Sequence, residues 1–221
     1  MAKLIIAKNL TLAYEDKPII NKVNFTINTG DFVFITGKSG SGKTTLLKSF
    51  YGELKPIGGS LMVGGFALEA IKRKQLSHLR KHLGVVFQDF KLIPEWNILK
   101  NVMLPILIAG QDRKTSEHKA KEMLKKVNLL GLEHKYPSQL SGGEQQRAAI
   151  ARATIHQPIL ILADEPISGL DEYSAEIVMN LFEKANKAGI TIVIASHSIP
   201  HNFSQKYRHF HINEGKIHEL S

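Results

Sequence analysis

The run GKSGSGKTT, Gly37 to Thr45, leaves this chain few architectures to choose from. It follows the apolar "FVFIT" and opens a stretch with helical patterning, "KTTLLKSF". The spacing is that of G-x-x-x-x-G-K-[ST], a loop whose backbone N–H groups wrap phosphate oxygens when it joins a buried strand to a helix N-terminus. Gly37, Gly40 and Gly42 keep the wrap free of side chains, and Lys38, Ser39, Ser41 and Thr45 complete the same phosphate-binding segment. Lys43 is expected to reach β- and γ-phosphates, and Thr44 to offer its hydroxyl to Mg²⁺.

A strand feeding such a loop belongs to an α/β sheet, and other segments supply its neighbours. "LGVVFQ", "ILILADE" and "GITIVIASH" are short, nearly continuous apolar runs rich in β-branched residues, as expected of parallel strands covered on both faces. Helical patterns lie between them, from Lys43 to Tyr51 and from Ser174 to Ala188. The N-terminal "KLIIAKNLTLAY" and "IINKVNFTIN" alternate more clearly and predict added antiparallel strands. Residues 89–142 carry helical signals in place of strand signals, so a helical subdomain is expected there, inserted between core parts 1–88 and 143–221 of one 221-residue domain.

The strand ends carry the candidate chemistry. "ILILADEP" ends in Asp164, placed to hold Mg²⁺, and Glu165, placed to act as general base on an attacking water. "VFQDF" puts Gln88 beyond another strand, where a neutral amide can approach both Mg²⁺ and that water. "IVIASHS" puts His197 at a third strand end, within reach of a γ-phosphate. Tyr14, ahead of the loop, offers a ring that can stack on a base or fill the core equally well.

"LSGGEQQR", Leu140 to Arg147, is a different signal. Gly in a helix interior costs up to about 1 kcal/mol relative to Ala, so two adjacent glycines before a helical stretch ask for a reason. Bare backbone and a hydroxyl at a helix start suit an anion.

Composition narrows the remaining classes. There is no Cys, which excludes disulfides and thiolate metal sites. The greasiest stretch, "ILKNVMLPILIAG", is interrupted by Lys100, Asn101 and Pro105, and a span needs roughly 20 apolar residues. "MAKLIIAKNL" is too short in apolar residues for a signal peptide. The net charge of +9 resides largely in "IKRKQLSHLRKH" and "DRKTSEHKAKEMLKK", which read as solvated helix faces, with a membrane-surface bias as the next reading and nucleic acid not expected as a partner.

In order along the chain, the phosphate loop, Gln88, "LSGGEQQR", "ILILADEP", "SGLD" (Ser168 to Asp171) and His197 together resemble the ATP-binding cassette (ABC) ATPases. The resemblance implies ATP and Mg²⁺ as ligands and a P-loop NTPase core with an antiparallel β subdomain and an inserted helical one. It implies that Ser141, Gly142, Gly143 and Glu144, with Asp171, complete the ATP site of a second copy, so the chain works as a homodimer with composite sites. DNA-maintenance ATPases with the same signature separate it from the phosphate loop by long coiled coils, whereas Lys43 and Ser141 share one small domain here. Within the family the likeness is to the FtsE type of cell-division ATPase, and next to the lipoprotein-releasing and macrolide-export types. Ile167 and Gly169 depart from the Thr and Asn usual in these relatives. The likeness implies an integral membrane subunit, an FtsX-like permease, as partner at the cytoplasmic face of the membrane. The stretch "DFKLIPEWNILKNVMLPIL", with Trp96, is the expected docking face.

Overall fold

A computed structural model describes residues 2–15 and 17–220. Two sheets organise it. The first is antiparallel, in the order β2-β1-β4-β5, built from β1 (Lys3–Tyr14), β2 (Lys17–Asn28), β4 (Gly58–Val63) and β5 (Phe66–Ala67). The second runs β10-β9-β3-β8-β7-β6, from β3 (Phe32–Thr36), β6 (Leu83–Val86), β7 (Leu160–Asp164), β8 (Thr191–Ala195), β9 (Arg208–Asn213) and β10 (Lys216–Leu220). Its strands β9, β3, β8, β7 and β6 are parallel, and β10 closes one edge antiparallel. The anticipated α/β class with an N-terminal antiparallel subdomain is therefore observed.

The central strands are buried along their whole length: β3 and β8 expose no residue, and β7 only begins to emerge at Asp164. That follows from apolar runs that bury both faces of a parallel sheet. Helix α1 (Lys43–Phe50) and the strands of the antiparallel sheet share one core through Leu46, Phe50, Ile5 and Leu12. On the other face, α6 (Glu172–Lys187) packs Val178, Met179 and Phe182 against Phe34, Ile161 and Ile192.

Between β6 and β7 lie α3 (Ile98–Ile108), α4 (Arg113–Lys126), a short 3₁₀ turn at Pro137–Gln139 and α5 (Gly142–Thr154). They enclose a separate apolar cluster around Ile98, Val102, Ala120 and Leu124. Helix α5 belongs to both parts. Ala148, Ala151 and Ile155 face the helical cluster, whereas Ile150 and Ala153 face the sheet. Small residues allow that double contact, because a helix pressed from two sides has room for little more than methyl groups. The remaining helix, α2 (Arg73–Arg80), buries only Leu79 and lies against β6. No helix among the described residues is long and apolar enough to cross a membrane.

Candidate functional site

The phosphate loop leaves β3 and enters α1 without a side-chain cap. Gly42 occupies the N-cap position with φ 105°, and a Cβ there would meet Ile19 at 2.8 Å. Glycine is thus required both by conformation and by space. The helix presents its first N–H groups uncapped to the loop, an arrangement suited to an anion. Lys38, Ser39 and Gly40 are exposed at the rim, Thr44 is exposed, and Thr45 is buried. The Ser41 hydroxyl is buried without a hydrogen-bond partner among the described residues.

Lys43 is 7% exposed and lies across the loop. Its ammonium donates to the carbonyls of Gly37 (3.0 Å) and Lys38 (3.4 Å) and sits 3.6 Å from Glu165 Oε1. His197 Nε2 approaches the same carboxylate oxygen at 3.4 Å. Strands β3, β7 and β8 thereby deliver three sequence-expected residues, Lys43, Glu165 and His197, to one point. Glu165 gets there by an unusual backbone: its φ is 46°, while its N–H donates to Ala195 O at 2.8 Å. A left-handed non-Gly residue of this kind costs about 1–3 kcal/mol and is characteristic of functional sites.

Asp164 lies one residue before, at the end of β7. Burial pushes its pKa above the usual carboxylate range, with the Thr44 side chain opposing the shift. Its Oδ1 is buried and lacks a hydrogen-bond partner among the described residues. An orphaned, desolvated carboxylate oxygen beside a threonine hydroxyl is what a hard divalent cation with oxygen ligands fits. Gln88 is exposed in the turn after β6, and Tyr14, at the end of β1, is 45% exposed. Tyr14 lies close to Lys48, whose pKa is held up first by Glu53 and further by the Tyr14 side chain.

A second cluster forms where α5 and α6 begin. Ser141 caps α5 in a closed ring: its N–H and its hydroxyl both donate to Glu144 Oε2, at 2.8 and 2.9 Å, and Glu144 N–H donates back to Ser141 Oγ at 3.3 Å. This is a capping box. Asp171 caps α6 without the reciprocal bond, accepting from the Ser174 N–H at 2.9 Å and hydroxyl at 2.7 Å. The Ser174 backbone N–H, then its hydroxyl, hold the Asp171 carboxyl below its usual pKa. The two starts touch at Gly143, where a Cβ would fall 2.8 Å from Ser174 Oγ. Ser141, Gly142 and Asp171 are exposed, and the polar partners given above lie within their own cluster. Lys43, by contrast, turns to the loop and to Glu165.

Comparison with known proteins gives the chain its family. The family model described as "ABC transporter" matches residues 20–168. The chain belongs to the ABC transporter family. It is accordingly an ATPase, the nucleotide-hydrolysing subunit of a transporter-type complex. Among curated relatives, the cell-division ATP-binding protein FtsE of Streptococcus pneumoniae is 40% identical over 88% of this chain and 85% of its own length. The lipoprotein-releasing system ATP-binding protein LolD of Buchnera aphidicola is 43% identical over 86% of each chain. A solved structure of the ATP-binding cassette MJ0796, a dimer in a post-hydrolysis state bound to ADP and Pi, superposes with a TM-score of 0.89 at 34% identity, covering 98% of this chain and 97% of that one.

The cassette also contains a link that its motifs do not announce. Arg152, in α5, is 9% exposed and donates to Lys91 O at 2.6 Å and Phe90 O at 2.7 Å. Phe90 and Lys91 turn those carbonyls inward through φ values of 60° and 50°. The signature helix is therefore bolted to the segment just after Gln88. Burial lowers the pKa of the guanidinium. The "ARAT" stretch alone gives no sign of this, since the accepting carbonyls lie some sixty positions earlier in the chain.

The stretch expected to dock a partner is divided. Trp96 is half-buried under Lys100, whose ammonium lies 4.0 Å from the ring centroid. The fully buried Asn101 fixes the loop before it, donating to Ile93, Trp96 and Asn97 carbonyls. Trp96 does not line the cleft between β6, α2 and α3. Leu104, Pro105 and Ile108, at the other end of the same stretch, do.

Proposed function

We propose that this chain is the ATPase of an FtsE–FtsX-type cell-division complex, a peripheral subunit working as a homodimer on the cytoplasmic face of the membrane beneath an FtsX-like permease. The observation that carries the dimeric mechanism is the separation of two half-sites: a loop with Lys43, Glu165 and His197 converged on it, and an exposed signature turn with its own caps. In this reading each site consists of one copy's loop and the other copy's Ser141, Gly142, Gly143 and Glu144, flanked by Asp171. The FtsE relatives support the cell-division assignment. The LolD relative favours, as a second reading, the ATPase of a lipoprotein-releasing exporter.

The residues divide the work by position. Lys43 exchanges the Gly37 and Lys38 carbonyls for phosphate oxygens, a charge-assisted contact. Ser41, with the backbone of Gly37, Lys38, Ser39, Gly40, Gly42, Thr44 and Thr45, cradles the phosphates, and the Tyr14 ring stacks on the base. Thr44 and Asp164 would hold Mg²⁺, with Gln88 reaching it from the turn after β6, and the ion would supply charge neutralisation to the phosphates. Glu165 orients the attacking water and accepts its proton, and His197 keeps the carboxylate and the γ-phosphate in register. Residues 89–142 act as a unit that tilts against the core when Gln88 moves, through the Arg152 bolt.

The test is the Glu165→Gln variant with ATP and Mg²⁺. It keeps shape and removes the base, so turnover should fall by about 10²–10⁴ while sedimentation shows an ATP-dependent dimer. Hydrolysis near the wild-type rate would refute the assignment of Glu165. The same variant, used to capture its permease from membranes, separates the two complexes: a four-span protein with a modest extracellular loop is expected, and one with a large periplasmic domain would select the lipoprotein-releasing reading.

A further inference from the structure

Two histidines of β9 close on one hydroxyl at the root of the phosphate loop. Thr36 ends β3 and pairs with His211 in the parallel register of β3 and β9. Its Oγ1 lies 2.7 Å from His209 Nε2 and 2.9 Å from His211 Nδ1. Thr36 is 5% exposed and both rings are half-buried. The ring centroids are 6.4 Å apart with planes at 85°, so the rings meet through the hydroxyl and do not stack. The next residue, Gly37, has no slack: a Cβ there would fall 2.5 Å from Ser41 Oγ and 2.6 Å from Ile212 O of β9. Its carbonyl also accepts from Lys43 at 3.0 Å. Any movement of Thr36 against β9 is therefore passed to Gly37, Ser41 and Lys43.

A hydroxyl carries one proton, so between neutral rings it donates to one nitrogen and accepts from the other. The facing nitrogens are Nε2 in one ring and Nδ1 in the other. Both rings must then hold the same tautomer. If His209 Nε2 is protonated, His211 Nδ1 is bare and its proton sits on Nε2; the reverse direction puts both protons on Nδ1. A further proton makes the accepting ring a second donor, and the hydroxyl proton loses its acceptor. Burial, and then the charge of His211, hold the His209 pKa below the usual imidazole value, which favours the neutral pair. The neighbouring titratable groups are mostly basic. His218, opposite His211, and Lys216 come from β10; Lys206 and Tyr207 precede β9; Lys38 and Lys43 belong to the loop. Strands β3 and β8 hold no titratable side chain, His197 approaches Glu165, and Arg208 takes both Asp31 and Glu219. Among the described residues no salt bridge reaches either ring.

We propose that His209 and His211 are positioning residues of the phosphate loop: as neutral rings they lock Thr36 and hold the loop in its ATP-binding shape, and their protonation in mild acid releases Thr36 and weakens ATP binding. This role rests on the reading of Gly37–Thr45 as the loop that holds the ATP phosphates, and adds a control on it. Its sign separates it from plain electrostatics. An imidazolium near the loop would by charge alone attract phosphate and tighten binding as pH falls. Release of the clamp does the opposite. Affinity is full above the pH at which the pair takes up its proton and is lost as pH falls through it. By linkage, bound ATP makes the pair harder to protonate.

The test titrates a fluorescent ATP with Mg²⁺ into the full chain and into a His209→Gln, His211→Gln double variant, at about pH 8 and at about pH 5.8. Glutamine keeps a polar side chain and does not titrate. Comparing the two proteins at each pH cancels the protonation of ATP and of the carboxylates they share. Wild-type affinity should fall relative to the double variant by about fivefold or more between the higher and the lower pH. Thr36→Val should flatten the profile as the double variant does, and Thr36→Ser should keep it. Equal pH profiles in wild type and double variant would overturn the proposal. Relative tightening of the wild type in acid would overturn it in favour of simple attraction. Absence of ATP binding by the wild type at both pH values would overturn the loop reading and the clamp with it. A second measurement needs no variant to fold: ¹⁵N NMR of the wild-type imidazoles at about pH 8 should find one tautomer in both rings. Opposite tautomers in His209 and His211 would overturn the shared hydroxyl.

Discussion

Gly143→Ala puts the contact between the two helix starts to a quantitative test. Alanine in place of glycine inside a helix is worth up to about 1 kcal/mol of stability. The added Cβ, however, would lie 2.8 Å from Ser174 Oγ and 3.1 Å from Ser174 Cβ. Rotating the hydroxyl away relieves the first clash and breaks its bond to Asp171 Oδ2, now 2.7 Å, at about 0.5–1.5 kcal/mol. The second clash involves a Cβ that no rotation moves, so α5 and α6 must separate; overpacking of this kind costs about 1–3 kcal/mol. The balance is a net loss of roughly 0.5–3.5 kcal/mol, or about 1–14 °C in Tm for a domain of this size. Differential scanning fluorimetry reads the stability, and steady-state ATPase reads the displaced Ser141 and Asp171. Ser174→Gly should restore part of both, with a coupling energy above about 1 kcal/mol in the double-mutant cycle. A Gly143→Ala protein that melts higher and keeps full ATPase would refute the claim that this glycine is there for close approach.

Further outcomes follow from the loop. Lys43→Ala should weaken ATP binding itself by at least tenfold in a fluorescent-nucleotide titration, because the charge-assisted phosphate contact is gone; unchanged affinity would contradict its placement. Asp164→Asn should raise the Tm of the nucleotide-free chain at pH 7 and abolish Mg²⁺-dependent turnover. Burial raises the Asp164 pKa, so its contribution to stability is present below the unfolded value and is lost as pH rises through the folded one. Removing the charge should therefore stabilise at neutral pH and have no such benefit in acid, and a variant less stable at pH 7 than the parent would overturn this reading of its environment.

Sequence made the strand ends legible because the chemistry there is dictated by backbone geometry. A buried parallel strand has to surrender its ligand-facing residues at its carboxyl end, so Asp164, Glu165 and His197 are found by reading where apolar runs stop. The helical pattern begins at Ser174, two residues after the observed start of α6 at Glu172. Strands β9 and β10 were harder: "RHFHIN" and "KIHEL" alternate histidine and glutamate with apolar residues, and nothing local tells the edge of a sheet from a solvated hairpin. Three features were out of reach for tertiary reasons. The left-handed φ of Glu165 is set by its bond to Ala195 O and contradicts the preference of glutamate itself. The burial of Arg152 depends on carbonyls some sixty positions earlier, turned inward at Phe90 and Lys91. Trp96 reads as an exposed anchor until Lys100, one helical turn on, is seen to cover its ring.

The central claim is that one chain holds two halves of different ATP sites. Lys43→Ala damages the loop half, and Ser141→Arg the signature half; each homodimer then lacks activity at both sites. Mixing the two gives heterodimers in which one site combines an intact loop with an intact signature, and the other combines both lesions. ATPase of the mixture, with heterodimer content measured by differently tagged protomers, is predicted to recover partly from two inactive preparations. A mixture proven to contain heterodimers that stays as inactive as its parents would contradict the shared site.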